Sequence, residues 1–135
     1  MKKLLFILLT SIWLILNIAC DDNKQIDTHI DKAYHSKQSD IQVVDVGKVI
    51  KVLEDDTKGS RHQRFLVKLP SNLTILIAHN IDLAPRVANL KAGDTIEFNG
   101  EYEWNNKGGV IHWTHHDPRK KHKDGWLKHN GVIYQ

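Results

Sequence analysis

The sequence predicts an all-β domain, a small five-stranded barrel, and three observations carry that expectation. Apolar residues recur at period two rather than at helical spacing across residues 41–116, turn-forming clusters separate the runs, and a single longer connection follows the third run. The 135 residues suffice for one domain of this kind after a leader and a linker.

Residues 1–19 read as an export signal, with Lys2 and Lys3 ahead of an apolar run from Leu4 to Ala19. That run falls short of the roughly 20 residues a membrane span needs, so cleavage is expected rather than anchoring by a helix. Leu16-Asn17-Ile18-Ala19-Cys20 resembles the bacterial lipoprotein box, whose cysteine is acylated, although Asn17 departs from the small or apolar residue usual there. A plain secretory signal is the other reading, giving a soluble periplasmic or secreted protein in place of a lipoprotein on the periplasmic face of a membrane. Cys20 is the chain's one cysteine, so no internal disulfide forms. Asp21 and Asp22 look like the signal that retains some lipoproteins in the inner membrane of a two-membrane cell. Residues 20–40 are polar and lack apolar periodicity, so they are expected to be a disordered linker with His29 and His35 solvated.

The barrel is expected over residues 41–135. Between Ile41 and Leu53 the apolar residues Val44, Val46, Ile50 and Val52 share one parity with Gly47 opposite, the pattern of a half-buried strand that coils or bulges at the glycine. Residues 54–60 form a turn cluster, and His62 to Leu69 alternates with Phe65, Val67 and Leu69 inward. After Pro70-Ser71-Asn72, Leu73 to Ala78 is apolar at nearly every position, as for a strand covered on both sides. Pro85 biases Ala84 away from helix, so a loop with at most a short helix from Pro85 to Leu90 follows. From Thr95 to Trp104, Ile96, Phe98, Gly100, Tyr102 and Trp104 share one face while Glu97, Glu101 and Glu103 share the other. Residues 105–108 make a hairpin turn into a strand from Val110 to His116 that Pro118 ends, and the tail forms a small hairpin bending at Asn130-Gly131. Five strands with the one long insertion after the third fit an oligonucleotide/oligosaccharide-binding (OB) barrel best, with a two-sheet sandwich as the alternative.

Charge excludes one class of partner. Nineteen Lys and Arg face 16 Asp and Glu, and losing Lys2 and Lys3 with the leader brings the balance near neutrality, so nucleic acid is not an expected partner. What basicity remains is local, in Arg119, Lys120, Lys121, Lys123 and Lys128.

The chemistry concentrates in Gly-Gly-Val-Ile-His-Trp-Thr-His-His, residues 108–116, since five of the nine histidines lie between His112 and His129. On an unbroken strand His112, Thr114 and His116 face one way and Trp113 and His115 the other, leaving His112 and His116 roughly 13 Å apart, too far to share a metal ion. The hairpin register that buries Tyr102 and Trp104 sets Glu101 opposite His112 and Glu97 opposite His116. Such carboxylate–imidazole pairs serve a ligand site, acid–base work, the outer shell of a metal, or plain cross-strand stabilisation as a solvated ladder. His79 and Asp82 follow a buried strand, where loops carry function, and Asp82 capping the turn with Arg86 paired to it is the structural alternative. Trp126 is expected to close the barrel end, and His122 and His129 to be solvated.

The segments Gly-Ser-Arg-His-Gln-Arg-Phe (59–65), Ala-His-Asn-Ile-Asp-Leu-Ala-Pro-Arg (78–86), Gly-Glu-Tyr-Glu-Trp-Asn (100–105), residues 108–118 and Gly-Trp-Leu-Lys-His (125–129) together resemble the bacterial domain of unknown function DUF3465 over Val43 to Gln135. The resemblance implies a small exported or envelope-associated bacterial protein and supplies no activity.

Two functions follow from the residues, with a third as background. The first is an exported, lipid-anchored binding module whose His79, Asp82, Arg86, Glu97, Glu101, His112 and His116 meet a small-molecule or polymer ligand, with the membrane reached through a lipid on Cys20. The alternative is a metal-dependent, phosphodiesterase-like hydrolase in which His115, His116 and Asp117, with His79 or His122, hold a divalent ion such as zinc while Arg86 or Arg61 clamps phosphate. A scaffold without a small-molecule site is the third. A serine or cysteine hydrolase is not expected, because no Gly-X-Ser-X-Gly occurs and Cys20 belongs to the leader.

Overall fold

A computed structural model describes residues 28–135. The expected leader over 1–19, Cys20 and the first residues of the linker lie outside the described residues.

The strands are β1 (Ile41–Val52), β2 (His62–Lys68), β3 (Thr74–Asn80), β4 (Thr95–Glu103), β5 (Val110–His112), β6 (Trp126–His129) and β7 (Val132–Tyr134). Antiparallel pairs join β1 to β2, β2 to β3, β4 to β5 and β1 to β4, and a parallel pair joins β3 to β5. The order β1-β2-β3-β5-β4 therefore returns to β1 and closes a five-stranded, OB-like barrel without free edges. Closure depends on the length of β1. Its first half, Ile41 to Lys48, pairs with β4, and its second half pairs with β2 after a register shift between Val49 and Lys51. That bulge lets one strand serve two neighbours. The β6–β7 hairpin extends the sheet from β4, turning at Asn130 and Gly131 with both φ angles positive, as a two-residue primed turn requires.

Phe65, Val67, Leu69, Ile96, Phe98 and Tyr102 are buried as their alternation predicts. The parity of β1 is the reverse of the expected one. Val43 and Val49 are buried with Gly47 between them, whereas Val44 is 65% exposed and Val46, Ile50 and Val52 lie on the outer surface. Gly47 decides the face: a Cβ there would sit 2.8 Å from the Lys68 carbonyl oxygen and collide with Val67, so the coiled strand brings its backbone, not a side chain, against β2. Strand β3 also departs from a doubly covered strand. Ile75 and Ile77 are fully buried, while Leu76 and Ala78 reach the partly open outer face. Turns rather than a helix follow β3.

The described part of the expected linker, residues 28–40, is ordered. It begins with α1 (His29–His35), whose capping box pairs the Thr28 side chain with Asp31. Ile30 and Ala33 bury at 0% and 1% exposure in the same core as the barrel strands. Trp104 ties the segment down, its backbone N–H donating to Ser39 Oγ (2.9 Å) and its indole N–H to the Tyr34 carbonyl (3.1 Å). Ile30, Ala33 and Tyr34 are the apolar residues of α1 that join the core, too few for a helical period to stand out in a polar sequence. His29 and His35 are exposed, as expected.

Candidate functional site

Alternation that sends Phe65, Ile77, Ile111 and Tyr102 inward must send their neighbours outward. Register aligns those neighbours into one surface: Arg64 opposite Ala78, His62 opposite Asn80, Glu101 opposite His112 and Glu103 opposite Val110. The small Ala78 side chain leaves a cleft of about 310 Å³, with His62, Arg64 and Asp56 on one side and Glu103, Val110 and His112 on the other. A smaller hollow shares His62, Ala78 and His112 and runs on to Trp113 and His115.

Three donor groups converge on the cleft wall. The Nε2 of His112 lies 3.8 Å from Glu101 Oε1 and 3.6 Å from Glu103 Oε1. That nitrogen is buried and has no hydrogen-bond partner among the described residues. Burial pulls the His112 imidazole below its ordinary pKa, against the opposing pull of the Glu101 carboxylate. Burial also raises the Glu103 carboxyl above the usual range, and the nearby Asp40 carboxyl adds to the rise. A fourth group approaches from the loop, with His122 Nδ1 3.4 Å from Glu101 Oε2.

The loop reaches that position because the strand expected to run to His116 stops at His112. Trp113 takes a left-handed φ of 55°, which ends the pairing and turns the chain. The Trp113 ring then stacks on His122 at 3.7 Å and 15° between planes. The Asp117 carboxylate accepts from the backbone N–H groups of Arg119 (2.9 Å), Lys121 (2.7 Å) and His122 (2.8 Å), which fixes the loop and holds its own pKa below the usual carboxylate range.

The same break redistributes the other predicted residues. Glu101 faces His112 as expected, but Glu97 does not face His116: it pairs with Lys128 of β6, 3.5 Å away, and His116 is exposed on the loop. His79 is fully buried rather than at the rim. Its Nε2 donates to the Pro85 carbonyl (3.0 Å), which leaves Nδ1 to accept from the Thr114 hydroxyl (2.8 Å), and burial lowers its pKa to about 4. Asp82 pairs with Arg61 at 2.8 Å, not with Arg86, whose guanidinium meets Asp55. His115, His116 and Asp117 do not converge: His115 Nδ1 donates to the His116 carbonyl (2.7 Å), His116 points to solvent, and the Asp117 oxygens serve the loop backbone. His129, expected to be solvated, is 2% exposed and bonds Asp94 at 2.8 Å.

Glu103 joins the site without having been singled out for it, and His122, named as an alternative ligand beside His115, His116 and Asp117, lies instead against Glu101. Glu103 was legible, since it shares a face with Glu101 and lies one pair along the hairpin diagonal to His112. His122 was not, because its position follows from the Trp113 backbone.

No curated protein matches the chain. The family model for a protein of unknown function, DUF3465, matches residues 11–135, reaching further toward the N-terminus than the resemblance carried by residues 43–135. The β-barrel domain and the segment that leads into it thus belong to the DUF3465 family.

Proposed function

We propose that this β-barrel is a binding module of the cell envelope, which captures a small polar solute in the cleft across β2, β3, β5 and β4. The observation that carries this reading is the buried Nε2 of His112, left without a hydrogen-bond partner among the described residues at a point where two carboxylates converge. A buried polar atom without a partner costs about 1–3 kcal/mol, and a ligand that bonds it recovers that cost on binding. The cleft has the size of a small-molecule site, and charges of both signs line it, Arg64 and Asp56 on one wall and Glu103 on the other. The hydrolase reading gains no such support, because its three proposed ligands serve the loop or point to solvent.

The envelope placement rests on the leader and Cys20, which we propose is acylated and tethers the module to the periplasmic face of a membrane. Cys20→Ser should leave the protein exported but released from the membrane fraction; retention of that variant in the membrane would contradict the tether.

The binding reading is tested by amide chemical shifts of the full chain titrated with a panel of inorganic phosphate, citrate, a neutral oligosaccharide and Zn²⁺. At least one probe should shift residues 62–64, 78–80, 101–103 and 110–113 together. Shifts confined to other faces for every probe would overturn it.

A further inference from the structure

We infer that Glu101, Glu103 and His112, with His122 held against Glu101 beside them, form a binding site for a divalent transition-metal ion of the zinc class. This rests on reading the cleft as a binding face and names the ligand chemistry of its wall.

Nitrogen and oxygen donor atoms of Glu101, Glu103 and His112 all lie within 4.8 Å of one another. The separations from His112 Nε2, 3.8 and 3.6 Å, are too long for hydrogen bonds. They are close to what two ligands of one tetrahedral ion show, since bonds of about 2.0–2.1 Å place ligands about 3.4 Å apart. His122 Nδ1 is hydrogen-bonded to the second Glu101 oxygen at 3.4 Å and so holds that carboxylate from beside the three donors. Small side-chain rotations therefore bring one imidazole and two carboxylates around one point, with His122 on the far oxygen of Glu101.

The electrostatics favour a cation over the alternatives. Two carboxylates held together repel one another, and the buried Nε2 between them has no acceptor or donor of the protein within bonding distance among the described residues. A divalent ion offsets the repulsion and takes the nitrogen lone pair. Imidazole with carboxylate suits zinc, nickel, cobalt or copper, whereas all-oxygen sites suit magnesium and calcium. The surroundings are built to hold the donors. Strand pairing fixes Glu101 against His112, the Trp113 ring lies flat on His122, and the Asp117 carboxylate gathers the backbone that delivers His122. Asp117 is thus a positioning residue for a site to which it contributes no ligand atom.

The test is isothermal titration of the full chain with ZnCl2 and, separately, MgCl2, paired with quenching of tryptophan fluorescence by Ni²⁺, on which Trp113 reports through its ring contacts with His112 and His122. One Zn²⁺ per chain and no Mg²⁺ binding are expected. His112→Gln, Glu101→Gln and Glu103→Gln should each weaken Zn²⁺ binding at least tenfold while an unchanged circular-dichroism spectrum shows each variant folded. His116→Ala should leave binding unchanged, and Trp113→Phe should remove most of the Ni²⁺ quenching. Asp117→Ala should weaken Zn²⁺ binding, with Asp117→Asn recovering part of the loss as a remaining acceptor allows. Absence of stoichiometric Zn²⁺ binding, or binding lost in His116→Ala and kept in His112→Gln, overturns the inference. If phosphate, citrate or the oligosaccharide shifts the cleft amides while Zn²⁺ does not, the metal site falls and the binding module stands.

Discussion

At the scale of single residues, burial has divided the histidines between two jobs. His79 is locked as a neutral ring by a carbonyl that can only accept and a hydroxyl placed to donate, and its pKa of about 4 sits well below the ordinary value. The fold therefore prefers the unprotonated form. As pH falls from neutrality the unfolded chain takes up this proton near pH 6.5 and the folded chain does so only near 4, so stability declines across that window and levels off below it. The loss is on the order of 3 kcal/mol at most. Urea unfolding of the wild type and of His79→Gln at pH 7, 5.5 and 4.5 checks this: the gap between the two should narrow with acid, and a constant gap would contradict it. Thr114→Val removes the hydroxyl from the same ring and should cost about 1–3 kcal/mol at pH 7 in the same measurement. His112 has the opposite character, with a buried nitrogen that finds no hydrogen-bond partner among the described residues.

At the scale of elements, β1 and α1 show how far pattern alone reaches. The even-numbered valines and Ile50 of β1 outnumber the odd-numbered apolar residues, so counting favours the wrong face. What overrides the count is the space at Gly47, where β1 coils against β2 closely enough to exclude a side chain. Val49→Ala should cost about 2 kcal/mol, whereas Ile50→Ala, which removes more carbon, should stay within about 0.5 kcal/mol, because only the first leaves a cavity in the core. Equal losses by thermal denaturation would restore the expected parity. Helix α1 is held by a capping box and by Ile30. Thr28→Ala should cost about 1 kcal/mol and Ile30→Ala about 2–5 kcal/mol, with hydrogen exchange at residues 30–36 rising in both. A linker of the expected kind would be indifferent to either change.

At the scale of the whole molecule, closure of the barrel is what assembles the cleft. The alternation of β2, β4 and the start of β5, the long connection after β3 and the Asn-Gly bend were legible because each is local chemistry with a fixed geometric consequence. The pairing of Glu101 with His112 was legible for the same reason, as burying Tyr102 fixes the hairpin register. The end of β5 was not, since nothing in Trp-Thr-His-His announces that Trp113 will adopt a left-handed backbone. That one conformation separates Glu97 from His116, sends Thr114 inward to His79 and returns His122 to Glu101. The site consequently draws on four strands and a loop, while the histidine string that dominates the sequence supplies only its first member.

The proposed function places the His112 Nε2 as the atom through which this barrel meets its ligand, and the imidazole ¹⁵N spectrum of the full chain measures that atom. On addition of Zn²⁺ the Nε2 resonance of His112 should move to the position of a coordinated nitrogen while those of His29, His35 and His116 hold. A His112 resonance that stays in place while His116 or His129 responds would overturn His112 as the ligand-binding atom.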